Sequence, residues 1–119
     1  MSAQVRTRIN LADVTSQIAD TVDALEESHE DFQEAAADAA AAEADWKAAR
    51  ARSIVAQADT GGRTSQDVRE ARAMAEHEDL YRRFLLSAAR LDTVKSGHRS
   101  LLARLDALRT LAADSRALL

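Results

Sequence analysis

Proline is absent from this chain, and its three glycines stand at positions 61, 62 and 97. These are the residue types that most reliably interrupt a helix, so the places where a helix must stop are few. One lies near the midpoint of the 119 residues, at Asp59-Thr60-Gly61-Gly62-Arg63. The stretch Thr64-Ser65-Gln66-Asp67 follows, a hydroxyl cap with an acid in the first turn that announces a new helix. Upstream, Asn10 before Leu11, with Asp13 three residues on, caps a first helix in the same way. The spacing predicts an N-terminal arm over 1–9, helix 1 over about 10–58, a turn over 59–64 built on Gly61 and Gly62, and helix 2 over about 65–117. The heptad keeps phase from Val94 through His98 to Leu101, so Gly97 reads as an interior glycine that costs about 1 kcal/mol without ending the helix.

Apolar periodicity gives each helix a face. In helix 1, Leu11, Ile18, Leu25, Phe32, Ala39 and Trp46 recur every seven residues; Thr15, Val22, His29 and Ala36 are read as the interleaved row, drifting to Ala42 and Ala49 beyond Ala39. In helix 2 the rows are Phe84, Leu91, His98, Leu105 and Ala112, alternating with Leu80, Ser87, Val94, Leu101 and Leu108. The expected seam is Leu11, Ile18, Val22, Leu25 and Phe32 against Phe84, Leu91, Val94, Leu101, Leu105 and Leu108.

Charge supplies an independent register. From Asp13 to Asp45 the first helix carries acids and no Lys or Arg, whereas Arg82, Arg83, Arg90, Lys95, Arg99, Arg104, Arg109 and Arg116 crowd the second. Folding about Gly61 and Gly62 lays acid beside base, and brings Lys47, Arg50 and Arg52 towards Glu70, Glu76 and Glu78. The fold class expected is therefore all-α, a long antiparallel two-helix hairpin. Two helices hide only one stripe each, so the apolar residues outside the rows predict dimerisation into a four-helix bundle. Trp46, Tyr81, Leu85, Leu86, Leu102 and Leu111 are the candidate interface.

Function classes narrow by elimination. Without Cys there is no disulfide, thiolate ligand or thiol nucleophile. No Gly-x-Ser-x-Gly elbow exists, and Gly61-Gly62 lacks the Lys-Ser/Thr ending of a phosphate loop. Glu26 and His29 have helix-face metal spacing, with His98 about one turn away across the hairpin, but the histidines number only three and read as seam residues. Neither catalytic residues, a metal site nor a cofactor is predicted. A net charge of -4 argues against nucleic acid as a partner, and no apolar run reaches a membrane span of about 20 residues. A cytoplasmic protein is the expectation. The acidic stretch also supports a second reading, a DNA-like surface that inhibits a DNA-processing protein.

The runs Trp46-Lys47-Ala48-Ala49-Arg50, Gly61-Gly62-Arg63-Thr64, Arg69-Glu70-Ala71 and Lys95-Ser96-Gly97-His98-Arg99 through Leu105-Asp106-Ala107-Leu108-Arg109 resemble a loose group of small helical bacteriophage proteins. The resemblance spans residues 44 to 113 and implies an accessory role near phage recombination or replication, in the host cytoplasm. The acid stretch and shape are also similar to those of phage inhibitors of host recombination nucleases. The secreted hairpins of type VII systems are similar in length, but carry Trp-x-Gly in the turn, where this chain has Asp59-Thr60-Gly61-Gly62-Arg63. Together these readings predict a non-enzymatic protein whose partners are a second copy and an unidentified protein.

Overall fold

A computed structural model describes residues 10–59 and 64–117. The 1–9 arm, Gly61 and Gly62 of the turn, and Leu118 and Leu119 lie outside the described residues. The protein is all-helical, with three helices among the described residues: α1 (Leu11–Asp59), α2 (Gln66–Glu76) and α3 (Glu78–Ala117). Both starts read from the sequence are capped. Asn10 Oδ1 accepts from the Ala12 N–H at 2.9 Å, and Ser65 Oγ accepts from the Val68 N–H at 3.3 Å. Each side-chain oxygen satisfies a backbone donor that the first helical turn leaves without a partner.

The second helix is not continuous, as the spacing predicts over 65–117, but divides at His77. His77 leaves helical geometry with φ -122° and ψ 40°, yet its N–H still donates to Ala73 O and its carbonyl accepts from Tyr81 N. Only the backbone angles of this one residue depart, and both hydrogen bonds through it are kept. Glu78 and Asp79 stand in the first turn of α3, where carboxylates meet the positive end of a helix. No glycine or proline marks this break. Gly97, by contrast, is inside α3.

A Cβ built on Gly97 meets nothing within 4 Å. Alanine there is expected to stabilise the chain by about 0.5–1 kcal/mol, through lower unfolded-state entropy and better helix propensity. A Gly97→Ala variant melting at or below wild type by circular dichroism would count against an unstrained interior glycine.

The chain packs as two compact units, the first made of Met1–Phe32 with Val94–Leu119 and the second of Gln33–Thr93. In the first, Val14, Leu108 and Ala112 form the buried cluster, with Leu11 and Ile18 packed against it. In the second, Ala35, Ala42, Trp46, Ala49 and Ala73 are buried together with Ser53. Alanines dominate this second core, and among the described residues no large side chain is wholly buried in either unit.

The buried faces correct one row of helix 1. Residues three positions after each member of the Leu11 row face inward: Val14, Thr21, Ser28, Ala35, Ala42 and Ala49. Thr15, Val22 and His29 are exposed instead, Val22 at 37% on the edge of the α1–α3 groove, and Ala36 is half-buried. Polar side chains can occupy this row because each finds a partner. Thr21 Oγ1 donates to Gln17 O at 2.7 Å, and Ser28 Oγ lies 3.1 Å from its hydrogen-bond partner His98 Nδ1. Of the other expected seam residues, Leu105 and Leu108 are buried, while Leu11, Ile18, Leu25, Phe32, Phe84, Leu91, Val94 and Leu101 are half-buried.

Candidate interaction surfaces

The second unit is tied together by polar contacts at two places along α1. Near the start of its α1 segment, Arg90 reaches Asp38 at 3.0 Å and Glu34 at 3.8 Å, and Arg83 reaches Asp45 at 3.0 Å. As the number on α1 rises, the number on α3 falls, the mark of an antiparallel pair. Towards Asp59, α1 meets α2. Arg50 Nε donates to Glu70 Oε2 at 2.6 Å, and its Nη2 donates to the other oxygen of the same carboxylate. That hydrogen bonding holds the Glu70 carboxyl below the ordinary carboxylate range and raises the Arg50 guanidinium above its own. Ser53 Oγ donates to Glu76 at 2.8 Å, and Gln57 Nε2 donates to Arg69 O at 3.1 Å.

The charge match is therefore narrower than the spacing predicts. Lys47 pairs with Glu43 on its own helix, and Glu78 with Arg82 on its own. Arg50 alone of the three cations expected there reaches an acid of α2. In the first unit, no Lys or Arg among the described residues comes within 4.0 Å of a carboxylate. Asp13, Asp20, Asp23, Glu26, Glu27, Glu30 and Asp31 all stand exposed on α1 there.

The candidate interface residues separate by burial. Trp46 is only 5% exposed, which makes it part of the core of the second unit and removes it as a surface anchor. Its ring packs on Tyr81 with centroids 5.0 Å apart and planes tilted by 59°, a favourable aromatic geometry that leaves Tyr81 half-buried. Leu85 and Leu86 of the second unit, and Leu102 and Leu111 of the first, are exposed, Leu86 most of all at 64%.

A further stripe escapes a search for one seam per helix. In the second unit, Ala37, Ala41, Ala44, Ala48, Ala51 and Val55 are all exposed on α1, at intervals that alternate four and three. They sit opposite the buried row of Ala35, Ala42 and Ala49, so this length of α1 is apolar on both faces. Val55 is 61% exposed.

In the first unit, Val22, Leu25, Glu26, His29, Glu30, His98 and Leu102 line a groove of about 560 Å³. His29 and His98 thus share a surface, but among the described residues no group of three or more His, Asp or Glu is arranged to hold a metal. No helix among the described residues is long and apolar enough to cross a membrane. No protein family, curated protein or solved structure matches the chain.

Proposed function

We propose that this chain is a non-enzymatic helical interaction protein that dimerises and presents its remaining surface to a protein partner. The observation that carries the reading is the second apolar face of α1 in the second unit, from Ala37 to Val55. Solvent-facing positions of a helix ordinarily hold charged residues, and a second 3-4 stripe of small residues suits close packing against another helix at about 8 Å between axes. Two copies meeting through that stripe form a four-helix bundle from their second units, since each brings α1 together with the helices packed on it. The resemblance over residues 44 to 113 to small bacteriophage proteins suggests a phage setting for that role.

Light scattering after size exclusion tests it. Wild type is expected at the mass of two chains, and Ala44→Glu with Ala48→Glu at the mass of one, with helicity retained because both positions are exposed. A monomeric wild type, or an unchanged dimer in the variant, would sink the stripe as the dimer contact.

One observation favours a second reading, inhibition of a DNA-processing protein by a DNA-like surface. The exposed acids of α1 in the first unit have no Lys or Arg within 4.0 Å among the described residues, which leaves their carboxylates facing solvent.

A further inference from the structure

The groove of the first unit has a floor and a bank of different chemistry. Val22, Leu25 and Leu102 supply apolar surface, with Val22 and Leu102 exposed and Leu25 half-buried. His98 is held in place by Ser28, which sets the ring between the two helices. Glu26 and Glu30 stand exposed one helical turn apart along the α1 side. Beyond them on α1 are Asp23 and Glu27, also exposed. Along the α3 side the charges that share a face with Leu102 within two turns are mainly basic, Lys95, Arg99 and Arg109 with Asp106 among them, so the acidic bank is confined to α1.

Enclosure decides what kind of ligand fits. A small molecule is ordinarily held by a pocket that buries most of its surface, whereas this groove is open along the line between two helices. A third helix laid there would cover Leu102 and Val22, which the protein's own packing leaves in water. Helix-in-groove recognition uses just such a surface, read by apolar side chains at i, i+3, i+4 and i+7. Charge then selects among helices. A ligand with Lys or Arg along one flank meets the Glu26 and Glu30 bank, and one with Glu or Asp along that flank is repelled.

We propose that the groove between α1 and α3 in the first unit docks a basic amphipathic helix of a partner protein, apolar face on Val22, Leu25 and Leu102, cationic flank on Glu26 and Glu30. This deepens the interaction reading by naming the chemistry of the partner, and it rests on that reading only in taking the chain to be a binding protein. The dimer stripe belongs to the second unit and the groove to the first, so each can fail alone.

The probe is a labelled helical peptide of about 20 residues with leucines at i, i+3, i+4 and i+7 and lysines on one flank, titrated by fluorescence anisotropy. Two further peptides accompany it: one with glutamates in place of the lysines, and one of the same composition with the leucine pattern scrambled. The lysine-flanked peptide is expected to bind and the other two to bind at least about tenfold more weakly. Leu102→Glu should weaken it by about tenfold or more. Glu26→Lys with Glu30→Lys should reverse the preference, so that the glutamate-flanked peptide becomes the better ligand. Equal binding of the scrambled and patterned lysine peptides would overturn the proposal, reducing it to attraction between a cation and an acidic surface. No binding by any peptide, or binding indifferent to Leu102→Glu, would overturn it too. Conversion of a wild-type dimer to monomer by Leu102→Glu would mean that a second copy fills the groove, and would also overturn it. Repeating the titration on the Ala44→Glu, Ala48→Glu variant separates the outcomes, because groove binding is expected to persist there whatever becomes of the dimer.

Discussion

Leu105→Asp is expected to abolish cooperative folding of the first unit at room temperature, seen as loss of the thermal transition followed by circular dichroism at 222 nm. Leu105 is buried at 6% exposure on α3, in a unit whose buried apolar cluster consists of Val14, Leu108 and Ala112. Truncating a buried leucine costs about 2–5 kcal/mol, and a carboxylate left in its place adds the cost of burying an unpaired charge. A small domain has only about 5–15 kcal/mol in total, so the substitution consumes most or all of it. Leu102→Asp provides the control from the same helix. Leu102 is 44% exposed and outside the buried cluster, so the same change there is expected to cost on the order of 1 kcal/mol. If the two variants melted together, near wild type, Leu105 would not be a seam residue.

That pair also shows why α3 was readable from its amino acids. Its inward rows, Phe84, Leu91, Leu105 and Leu108 among them, are carried by large apolar side chains at heptad spacing, the pattern that periodicity detects, while the exposed Leu85, Leu86, Leu102 and Leu111 fall outside those rows. In α1 the same pattern misleads at Val22. Hydropathy prefers Val22 to Thr21, yet Thr21 is buried and Val22 is not; one heptad on, Ser28 is the inward residue and His29 the exposed one. A hydroxyl on a helix can turn back to a carbonyl one turn earlier, as Thr21 does to Gln17, and so enter the interior with its bond made. Periodicity alone assigns no partner to a polar atom, and the choice between rows three or four residues apart depends on those partners.

The break at His77 and the ion pairs were hidden for other reasons. Helix interruption is legible when glycine or proline causes it, but here only the acids Glu78 and Asp79 mark a new start, a weak signal amid so many acids. Charge blocks set which segments lie together, while a particular pair depends on side-chain reach. Arg90 attains both Glu34 and Asp38, whereas Lys47 is closer to Glu43 on its own helix. As for the surfaces, Leu85, Leu86, Leu102 and Leu111 stood out as large apolar residues off the rows. The Ala37-to-Val55 stripe did not, because alanine serves equally as helix former and as contact residue, and only the burial of the opposite row tells the two faces apart.

Trp46→Ala is expected to destabilise the second unit by about 3–5 kcal/mol, the range for removing a buried aromatic. Trp46 lies on the inner face of α1 against Tyr81, one helical turn from Ala42 and Ala49, and these small neighbours cannot refill the space it would leave. The residue is the one large side chain among the buried residues described in this unit, beside four alanines and Ser53. Trp46→Phe retains an aromatic ring and is expected to lose far less, which separates packing volume from any role of the indole N–H. The measurement is urea unfolding of the three proteins, comparing midpoints at constant slope. An anchor for a partner would give the opposite pattern, with stability unchanged and only association lost. A midpoint for Trp46→Ala within error of wild type would therefore return Trp46 to the surface and remove the core around which the second unit is built.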